Sequence, residues 1–367
     1  MRILFTHELF PPYMTGGGEI YSEMLIKELI KKGIDVTVAA GAWCENKYEF
    51  WEGIPVYRIN LSPTRYSFNI KSFFALKKII KKIKPDIIHA NTYHAAIPAS
   101  LISRIYKVPI VLSVLSLFLD EWSNYFNSIY STFYYFFERL IFSLPYDKII
   151  ALDYAGYFNL DKIGLKKKTI IIPHPIDTKI FKPKRKHHDK FVIGTVGRLY
   201  GPTKKTDLFI KLVEEIQKKY DVRFLAVGKY DENLESILRD IGIELIGEVP
   251  HEKVVDYLNE IDIFIGQGLA AKEAMACECI TLLNEDTPLF LNYHKPEIDA
   301  GVMLAGNNLK IIESILDNPK NFKEIAKKAS KFINDNYSID KIIPKYIKLY
   351  EDVISTCKLL RTKVRSV

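Results

Sequence analysis

Residues 261–276 read IDIFIGQGLAAKEAMA and combine a strand, a glycine turn and a helix. The apolar run predicts a buried strand that ends near Gly266, and the helix-forming residues after it predict a helix. A helix that begins directly after such a strand offers free backbone N–H groups, here those of Gly268 and Leu269, to an anion such as phosphate. Glu273 lies about one turn into the helix. Its carboxylate either accepts hydrogen bonds from two neighbouring hydroxyl groups or only complements the helix dipole, and the spacing favours neither.

The same alternation of strands and helices extends over the chain on both sides of this segment. Short runs rich in Ile and Val recur between residues 2 and 172 and again between residues 191 and 283, with helical patterns between most of them. Because these runs show little polar–apolar alternation, they predict parallel sheets buried on both faces. We therefore predict an α/β protein with two Rossmann-like domains facing across a cleft, joined by a charged, proline-containing linker. The predicted domains are 1–182, completed by a C-terminal helix at 340–360, and 183–339.

Composition and charge restrict the classes of function. The chain has 367 residues, of which 48% are apolar, and a formal net charge of +8. This modest positive excess suits anionic ligands or an anionic membrane surface, but it is too small for typical nucleic-acid binding, and no nucleic-acid motif is present. The four cysteines form no CxxC pair, so neither a metal site nor a disulfide is predicted. With no signal peptide and no apolar run long enough to span a bilayer, the sequence predicts a soluble cytoplasmic protein.

Two further segments are candidates for phosphate contact. Gly16 and Gly17 lie between the first strand and the next helix, where glycine lets a ligand approach the backbone; the alternative is a flexible hinge. Gly197 and Arg198 follow the first strand of the second half, at the edge of the sheet where ligands bind in such folds, and Lys204 follows in the next loop. Arg and Lys side chains are natural partners of a pyrophosphate, although a lone Lys in this Lys-rich chain is better explained as a solvated residue.

Short motifs along most of the chain occur in an order that is more specific than any one of them. The motifs are Gly16-Gly17 with Glu19, residues 85–90 (PDIIHA), residues 172–177 (IPHPID) with Phe181, Gly197-Arg198, Lys204 with Asp207, and residues 273–276 (EAMA). In their order and spacing they resemble the GT-B glycosyltransferases of the large retaining family 4.

The resemblance implies a substrate class and roles for the candidate residues. It implies that the C-terminal domain holds a nucleotide-diphosphate sugar, with Arg198 and Lys204 on the pyrophosphate and the leaving group and Glu273 on the ribose hydroxyls. These three residues are the catalytic candidates. The remaining donor-binding candidates are Gly16 and Gly17 of the N-terminal, acceptor-side domain and Gly197, Gly268 and Leu269 of the C-terminal domain. The implied reaction is a hexosyl transfer to a hydroxyl acceptor with retention, without a metal or other cofactor.

The sugar side of the implied site departs from the family pattern. The family usually carries a first Glu at the position of Ile265 and a His at the position of Leu115, and both normally touch the sugar; Glu278 also stands where glycine is common. An active transferase with altered sugar contacts is favoured. A catalytically degenerate GT-B nucleotide-binding partner protein and a nucleotide-sugar epimerase stay open, because a fold does not fix a function. His89 ends a strand, and a hydrogen-bonded structural role is favoured for it over a role in the cleft.

Two segments of the N-terminal half raise the question of membrane contact. A lysine cluster from Lys77 to Lys84 lies on an amphipathic helical pattern, and residues 122–142 are rich in Tyr and Phe. An ordinary helix packed on the sheet is favoured for each segment. The alternative is peripheral contact with an anionic membrane, at the inner face of the cell membrane, together with a lipid-linked acceptor. Such an enzyme would serve the synthesis of cell-surface glycans, glycolipids or related glycoconjugates.

Overall fold

The computed structural model describes most of the chain. The described residues are 1–13, 16–42, 47–60, 70–91, 93–115, 117, 119, 123, 127–184, 189–200, 206–283 and 296–365, with the backbone alone at 60, 70, 71, 93, 94 and 360–365. Contacts between Cα atoms divide the chain into two compact units, Met1–His174 with Ile342–Val367 and Pro175–Lys341. The second unit begins before the predicted boundary at 182/183, because Ile176 and Phe181 are buried in its core. The acceptor-side and nucleotide-sugar-side roles of the two domains stay a prediction.

The first unit is built on an eight-stranded sheet. Its strands are β1 (Arg2–Leu9), β2 (Asp35–Ala42), β3 (Lys47–Trp51), β4 (Ile54–Asn60), β5 (Ile87–Asn91), β6 (Ile110–Val114), β7 (Lys148–Ala151) and β8 (Thr169–Ile171). Their order in the sheet is β3-β4-β2-β1-β5-β6-β7-β8. All neighbours are parallel except β3, which pairs antiparallel with β4 at the edge.

The second unit is built on a five-stranded, fully parallel sheet. Its strands are β9 (Val192–Val196), β10 (Arg223–Val227), β11 (Ile243–Gly247), β12 (Ile263–Gly266) and β13 (Ile280–Leu283), in the order β11-β10-β9-β12-β13. Consecutive residues of β9 point to opposite faces, so that Val192 belongs to one core and Ile193 to another. Helices therefore cover both faces, which explains why these strands carry an apolar residue at almost every position.

Helices connect most of the strands. In chain order they are α1 (Gly17–Lys31), α2 (Ile70–Ile83), α3 (Tyr93–Tyr106), α4 (Ser128–Phe142), α5 (Tyr154–Lys162), α6 (Thr206–Ile216), α7 (Glu232–Asp240), α8 (Val254–Leu258), α9 (Gly268–Ala276), α10 (Pro296–Asp299), α11 (Asn308–Asp317), α12 (Lys320–Tyr337) and α13 (Ile339–Arg365). Within the part of the chain that the structure describes, no helix is both long and apolar enough to cross a membrane.

Three of these helices, α2, α3 and α4, pack on one face of the first sheet. Their buried residues share a single apolar core with alternate residues of the strands: Leu76, Ile79 and Ile80 of α2, Ala99 and Ile102 of α3, Ile141 and Phe142 of α4, and Leu4, Ile88 and Leu112 of the sheet. The residues of α2 are spaced three or four apart, so that one stripe of the helix meets the sheet and the other stripe stays in water. The favoured reading of the lysine cluster, a helix packed on the sheet, agrees with this arrangement.

Each sheet has a point where the strand order changes direction. In the first sheet the chain builds outward from β1 on one side and from β5 on the other, and in the second sheet from β9 and from β12. Open parallel sheets bind ligands outside the carboxyl ends of the two strands at such a switch point. The switch points therefore define where a site is sought in each unit.

Candidate functional site

The edge of the second sheet beside the switch point is lined with glycine backbone. Gly197, Gly228 and Gly247 end three adjacent strands, and all have positive φ, at 130°, 134° and 79°. The N–H of Gly228 donates to the carbonyl oxygen of Gly247 at 2.8 Å. A Cβ at Gly228 would lie 2.0 Å from the carbonyl oxygen of Gly197, so no side chain fits between these two loops. Glycine here lets the backbone approach closely and leaves the edge free of side chains.

Arg198 follows β9 directly at this edge. Its guanidinium carbon lies 5.4 Å from the centre of the Tyr200 ring, a cation–π distance that fixes the direction of the side chain. Its Nε atom is buried and makes no hydrogen bond within the described residues. A buried donor of this kind is normally satisfied by a partner, a water or a ligand. The side chain is thus held in place with donor capacity to spare.

The start of helix α9 lies beside β9, because β12 pairs with β9 and leads into α9. Gln267 is the N-cap residue, but among the described residues its side chain caps no N–H, and its Oε1 is buried without a partner. Gly268 has a φ of 69°, which suits a sharp turn between strand and helix. The amides of Gly268 and Leu269 therefore open the helix at the switch point, as the sequence predicts for an anion site.

Glu273 is almost fully buried on α9, at 3% exposure, and pairs with a residue that the sequence analysis missed. Its Oε1 lies 2.7 Å from Nε2 of His251. Because a carboxylate oxygen accepts hydrogen bonds, Nε2 carries the proton in this contact. The His251 ring also lies 5.2 Å from the ring of Phe181, centre to centre. The partly exposed imidazole thus lies beside the carboxylate and holds it by a hydrogen bond.

Lys272, the neighbour of Glu273, belongs to a different environment. Its Nζ lies 4.8 Å from the centre of the Tyr337 ring and 3.9 Å from Oε1 of Glu297. These contacts direct the ammonium group toward α12 and α10. The only signal that separates Lys272 from Glu273 in the sequence is the helical phase of α9, since adjacent residues point in different directions.

Gly16 and Gly17 lie in the first unit, at the start of α1. The N–H of Gly16 donates to Oε2 of Glu19 at 2.9 Å, which satisfies this amide within the helix start itself. Leu115, at the end of β6, lies so close that a Cβ on Gly18 would be 2.8 Å from its Cδ1. The residue that replaces the family's His therefore packs against the glycine segment. Phosphate contact by Gly16 and Gly17 stays a prediction.

The switch point of the first sheet is closed by a buried hydrogen-bond network. His89 of β5 is fully buried; its Nδ1 lies 2.7 Å from the Tyr350 hydroxyl of α13 and its Nε2 lies 2.7 Å from Oγ of Ser113. Tyr21 of α1 bonds Tyr346 of α13 at 2.6 Å between hydroxyls. Burial, and then the nearby imidazole of His7, lowers the pKa of His89 to about 3, so the ring is neutral. These contacts agree with the structural role favoured for His89.

The structure brings five of the candidate residues to one edge. Gly197 and Arg198 follow β9, while Gly268, Leu269 and Glu273 follow the adjacent strand β12. Lys204 lies outside the described residues, so its role stays a prediction. Over the described ranges, no group of three or more His, Cys, Asp or Glu side chains is arranged to hold a metal ion.

Similar solved structures show the class of fold. Sucrose-phosphate synthase from Thermosynechococcus elongatus superposes with a TM-score of 0.80 at 17% identity, over 97% of this chain and 99% of that one. The Anabaena protein HepE, in complex with UDP-glucose, gives 0.73 at 15% identity, over 96% and 100%. The fold is therefore GT-B-like, α/β with two parallel sheets, and the predicted fold class is confirmed.

Family models and a curated relative define the family. The models described as Glycosyltransferase Family 4 and Glycosyl transferases group 1 match residues 15–180 and 190–289. The phosphatidylinositol N-acetylglucosaminyltransferase GPI3 subunit of Saccharomyces cerevisiae is 24% identical over 308 residues, which are 76% of this chain and 66% of that protein. The chain thus spans about two thirds of the length of this relative. It belongs to the glycosyltransferases of family 4, group 1, a retaining family, and the prediction of a glycosyltransferase is confirmed.

Proposed function

We propose that the chain transfers a hexosyl group from a UDP-sugar to a hydroxyl group of a lipid-linked acceptor, with retention of the anomeric configuration. The observation that carries the proposal is that Arg198 follows β9 while Glu273 lies on α9, the helix that follows the adjacent strand β12, so that both belong to elements at the switch point of the second sheet. Beside them, Gly197, Gly228 and Gly247 leave the edge without side chains at three strand ends, where parallel sheets bind ligands. The family supplies the reaction type, and the site supplies the residues.

Each candidate residue would bind a different part of the donor. The guanidinium of Arg198, oriented by Tyr200, would bind the diphosphate and stabilise the charge that develops on it, with Lys204 as the proposed second cation. The carboxylate of Glu273 would accept hydrogen bonds from the ribose hydroxyls. In the transfer, the bond from the anomeric carbon to the diphosphate oxygen breaks while the acceptor oxygen bonds that carbon on the same face. The acceptor proton passes to the leaving phosphate oxygen, so no protein base is required.

The identity of donor and acceptor is supported by the similar proteins. HepE was solved with UDP-glucose, and the yeast relative is named for transfer of N-acetylglucosamine to phosphatidylinositol. We therefore place UDP-N-acetylglucosamine and UDP-glucose first among the donors to test, and a lipid-linked hydroxyl first among the acceptors. A role in making cell-surface glycans or glycolipids follows from this acceptor class.

Ligand-induced thermal stabilisation, followed by transfer assays, tests the proposal. UDP and its sugars should raise the melting temperature of the protein by mass action, and GDP and ADP should raise it less. Arg198→Ala and Glu273→Ala should abolish most of the shift, whereas Glu215→Gln, an exposed position near the C-terminal end of α6, should leave it intact. Unchanged shift and kinetics in both site variants would refute the assignment. Formation of an epimeric UDP-sugar without any acceptor would instead identify an epimerase.

A further inference from the structure

Helix α4 leaves a row of large apolar side chains in water. Ile129, Phe133, Phe136 and Leu140 are 78%, 60%, 60% and 65% exposed. Their spacing of three or four residues places them on one stripe of the helix. The opposite side of α4 is already used, since Ile141 and Phe142 are buried in the core. The exposed row, which we call the α4 stripe, is therefore additional to the face that the fold requires.

Helix α3 extends this apolar surface. Leu101 and Ile105 are 43% and 58% exposed, and α3 packs beside α4 on the same face of the sheet. Single exposed apolar residues are normal on a protein surface, but several of them on two helices that pack side by side indicate an interaction site. The sequence favoured a helix packed on the sheet for residues 122–142, and α4 does pack there, but an apolar pattern does not tell which of its aromatic residues meet the core.

The charges around the surface have one sign. In the sequences of α2, α3 and α4 the only acidic residue is Glu138, which is 1% exposed and accepts the N–H of Leu119 at 2.6 Å. The basic residues with described side chains are Lys77, Lys78, Lys81 and Lys82 of α2, Arg104 of α3 and Arg139 of α4. No exposed carboxylate of these helices opposes them. An apolar stripe on a group of helices whose exposed charges, among the described residues, are all cationic is complementary to an anionic lipid surface.

We propose that α3 and the α4 stripe insert into the interface of an anionic bilayer, with the lysines of α2 resting on its headgroups. A bilayer fits better than a protein partner because aromatic and aliphatic side chains enter the acyl boundary while all the bordering charges face phosphate. Helices α2 and α4 would have different roles in membrane binding. Helix α2 buries its apolar side in the core and presents its lysines to the headgroups, whereas α4 presents its apolar stripe to the acyl boundary. The proposal extends the lipid-linked acceptor but does not rest on the donor site.

Binding of the full chain to vesicles, measured without any sugar donor, tests the proposal. The protein should float with vesicles of phosphatidylcholine and phosphatidylglycerol at low salt, and less with phosphatidylcholine alone. Phe133→Ser with Phe136→Ser should lower the partition coefficient by about tenfold or more, because two exposed rings no longer enter the interface. The matched control, Ile237→Ser with Leu359→Ser, removes two exposed apolar residues elsewhere, at 48% and 63% exposure, and should bind as the parent does.

A charge variant separates the two helices. Lys78→Glu with Lys81→Glu should weaken binding to anionic vesicles and reduce its salt dependence, while leaving residual binding through the α4 stripe. Failure of the unaltered protein to bind anionic vesicles at low salt would overturn the proposal. So would a self-associating protein, seen by sedimentation velocity, that becomes monomeric in the Phe133→Ser, Phe136→Ser variant and never binds vesicles. Because no donor is present, either failure leaves the proposed transferase reaction untouched.

Discussion

The switch points of the two sheets differ in whether their polar groups already have hydrogen-bond partners. At the switch point of the second sheet, Arg198 lies between glycine-ended strands and the start of α9, and its Nε and the Oε1 of Gln267 have no partner among the described residues. At that of the first sheet, His89 is enclosed by the tyrosines of α1 and α13 and both of its ring nitrogens have partners. The same topology thus carries the proposed donor site in one unit and the attachment of the C-terminal helix in the other. Topology locates a place for a site, and the residues there decide its use.

Replacing Glu273 should have the largest effect on activity. Glu273→Ala removes a carboxylate that would accept two hydrogen bonds from the ribose, and bonds to a charged group contribute about 1.5–2 kcal/mol each, so kcat/KM should fall by a few hundredfold. Steady-state kinetics with the donor identified by thermal shift would measure this. Glu215→Gln is the control, as an exposed carboxylate near the C-terminal end of α6 in the same unit. If Glu273→Ala retained the parent kcat/KM, the second sheet would no longer be the donor-binding one.

A methyl group at Gly228 should destabilise the glycine-lined edge of the second sheet. Its Cβ would meet the Gly197 carbonyl oxygen at 2.0 Å, a backbone clash that only a shift of the loop before Arg198 relieves. We expect Gly228→Ala to lower the free energy of unfolding by about 3 kcal/mol, from strain and positive φ together. Gly242→Ala is the matched control: φ is 84° there, but a Cβ would meet nothing within 4 Å. That variant should lose only about 1 kcal/mol.

The unfolding of both glycine variants by urea would separate clash from conformational strain. Equal losses at the two positions would show that the edge is loosely packed and that its glycines serve only the turn conformation. Donor affinity of Gly228→Ala adds a second readout, because a displaced Gly197 carries Arg198 with it.

Sequence reasoning reached the strands and the charged edge of the second sheet because both are local. A buried parallel strand appears in the sequence as an apolar run, and Arg198 and Gly268 both follow such runs within two residues. The hydrogen bond between His251 and Glu273 joins residues that are 22 positions apart in the sequence. Because it depends on how the chain packs around α9, no local sequence pattern predicts it. Strand β3, a short edge strand of mixed polarity, was likewise not predicted, since charged edge strands lack the apolar signal.

The hydrophobic pattern of the sequence also did not determine which individual side chains are buried. Arg58 is 1% exposed in the structure, where its Nε donates to Glu49 at 2.7 Å and its NH1 donates to the Phe10 carbonyl at 2.8 Å. Charged residues are rarely buried unless they are paired in this way, so the burial of Arg58 could not be predicted from the sequence. Helix α4 shows the opposite case, since it packs on the sheet as expected but leaves Phe133 and Phe136 exposed. Both departures depend on neighbours that are distant in the sequence.

The closed switch point should make stability depend on pH. The pKa of His89 is lowered by burial from its ordinary value near 6.5 to about 3, and that of His7 to about 4. Between about pH 6.5 and the lowered values, the unfolded chain binds more protons than the folded one, so stability falls as the pH falls. Each buried imidazole contributes up to about 1.4 kcal/mol per pH unit to this slope, and above about pH 6.5 it contributes none.

Urea unfolding at about pH 7.5 and at about pH 5 would measure this slope. His89→Gln should reduce the slope by about half, because one of the two buried imidazoles is gone and His7 remains. Ser113→Ala is the control: it removes the hydroxyl that bonds Nε2 of His89 but no titrating group, and should lower stability while keeping the slope. A His89→Gln protein with the parent slope would mean that His7 or carboxylates, not His89, set the acid sensitivity of the first unit.

The smallest effect should come from His251, whose proposed role acts through Glu273. His251→Phe keeps a ring against Phe181 but removes the N–H that holds the carboxylate, so Glu273 would be less fixed for the ribose. We expect the donor KM to rise about fivefold with kcat nearly unchanged, since one hydrogen bond worth about 1 kcal/mol is lost from binding rather than from the reacting bonds. His251→Gln, which can still donate, should recover part of the loss. A fall in kcat with KM unchanged would instead place the imidazole at the reacting sugar, and the open switch point would then carry chemistry as well as binding.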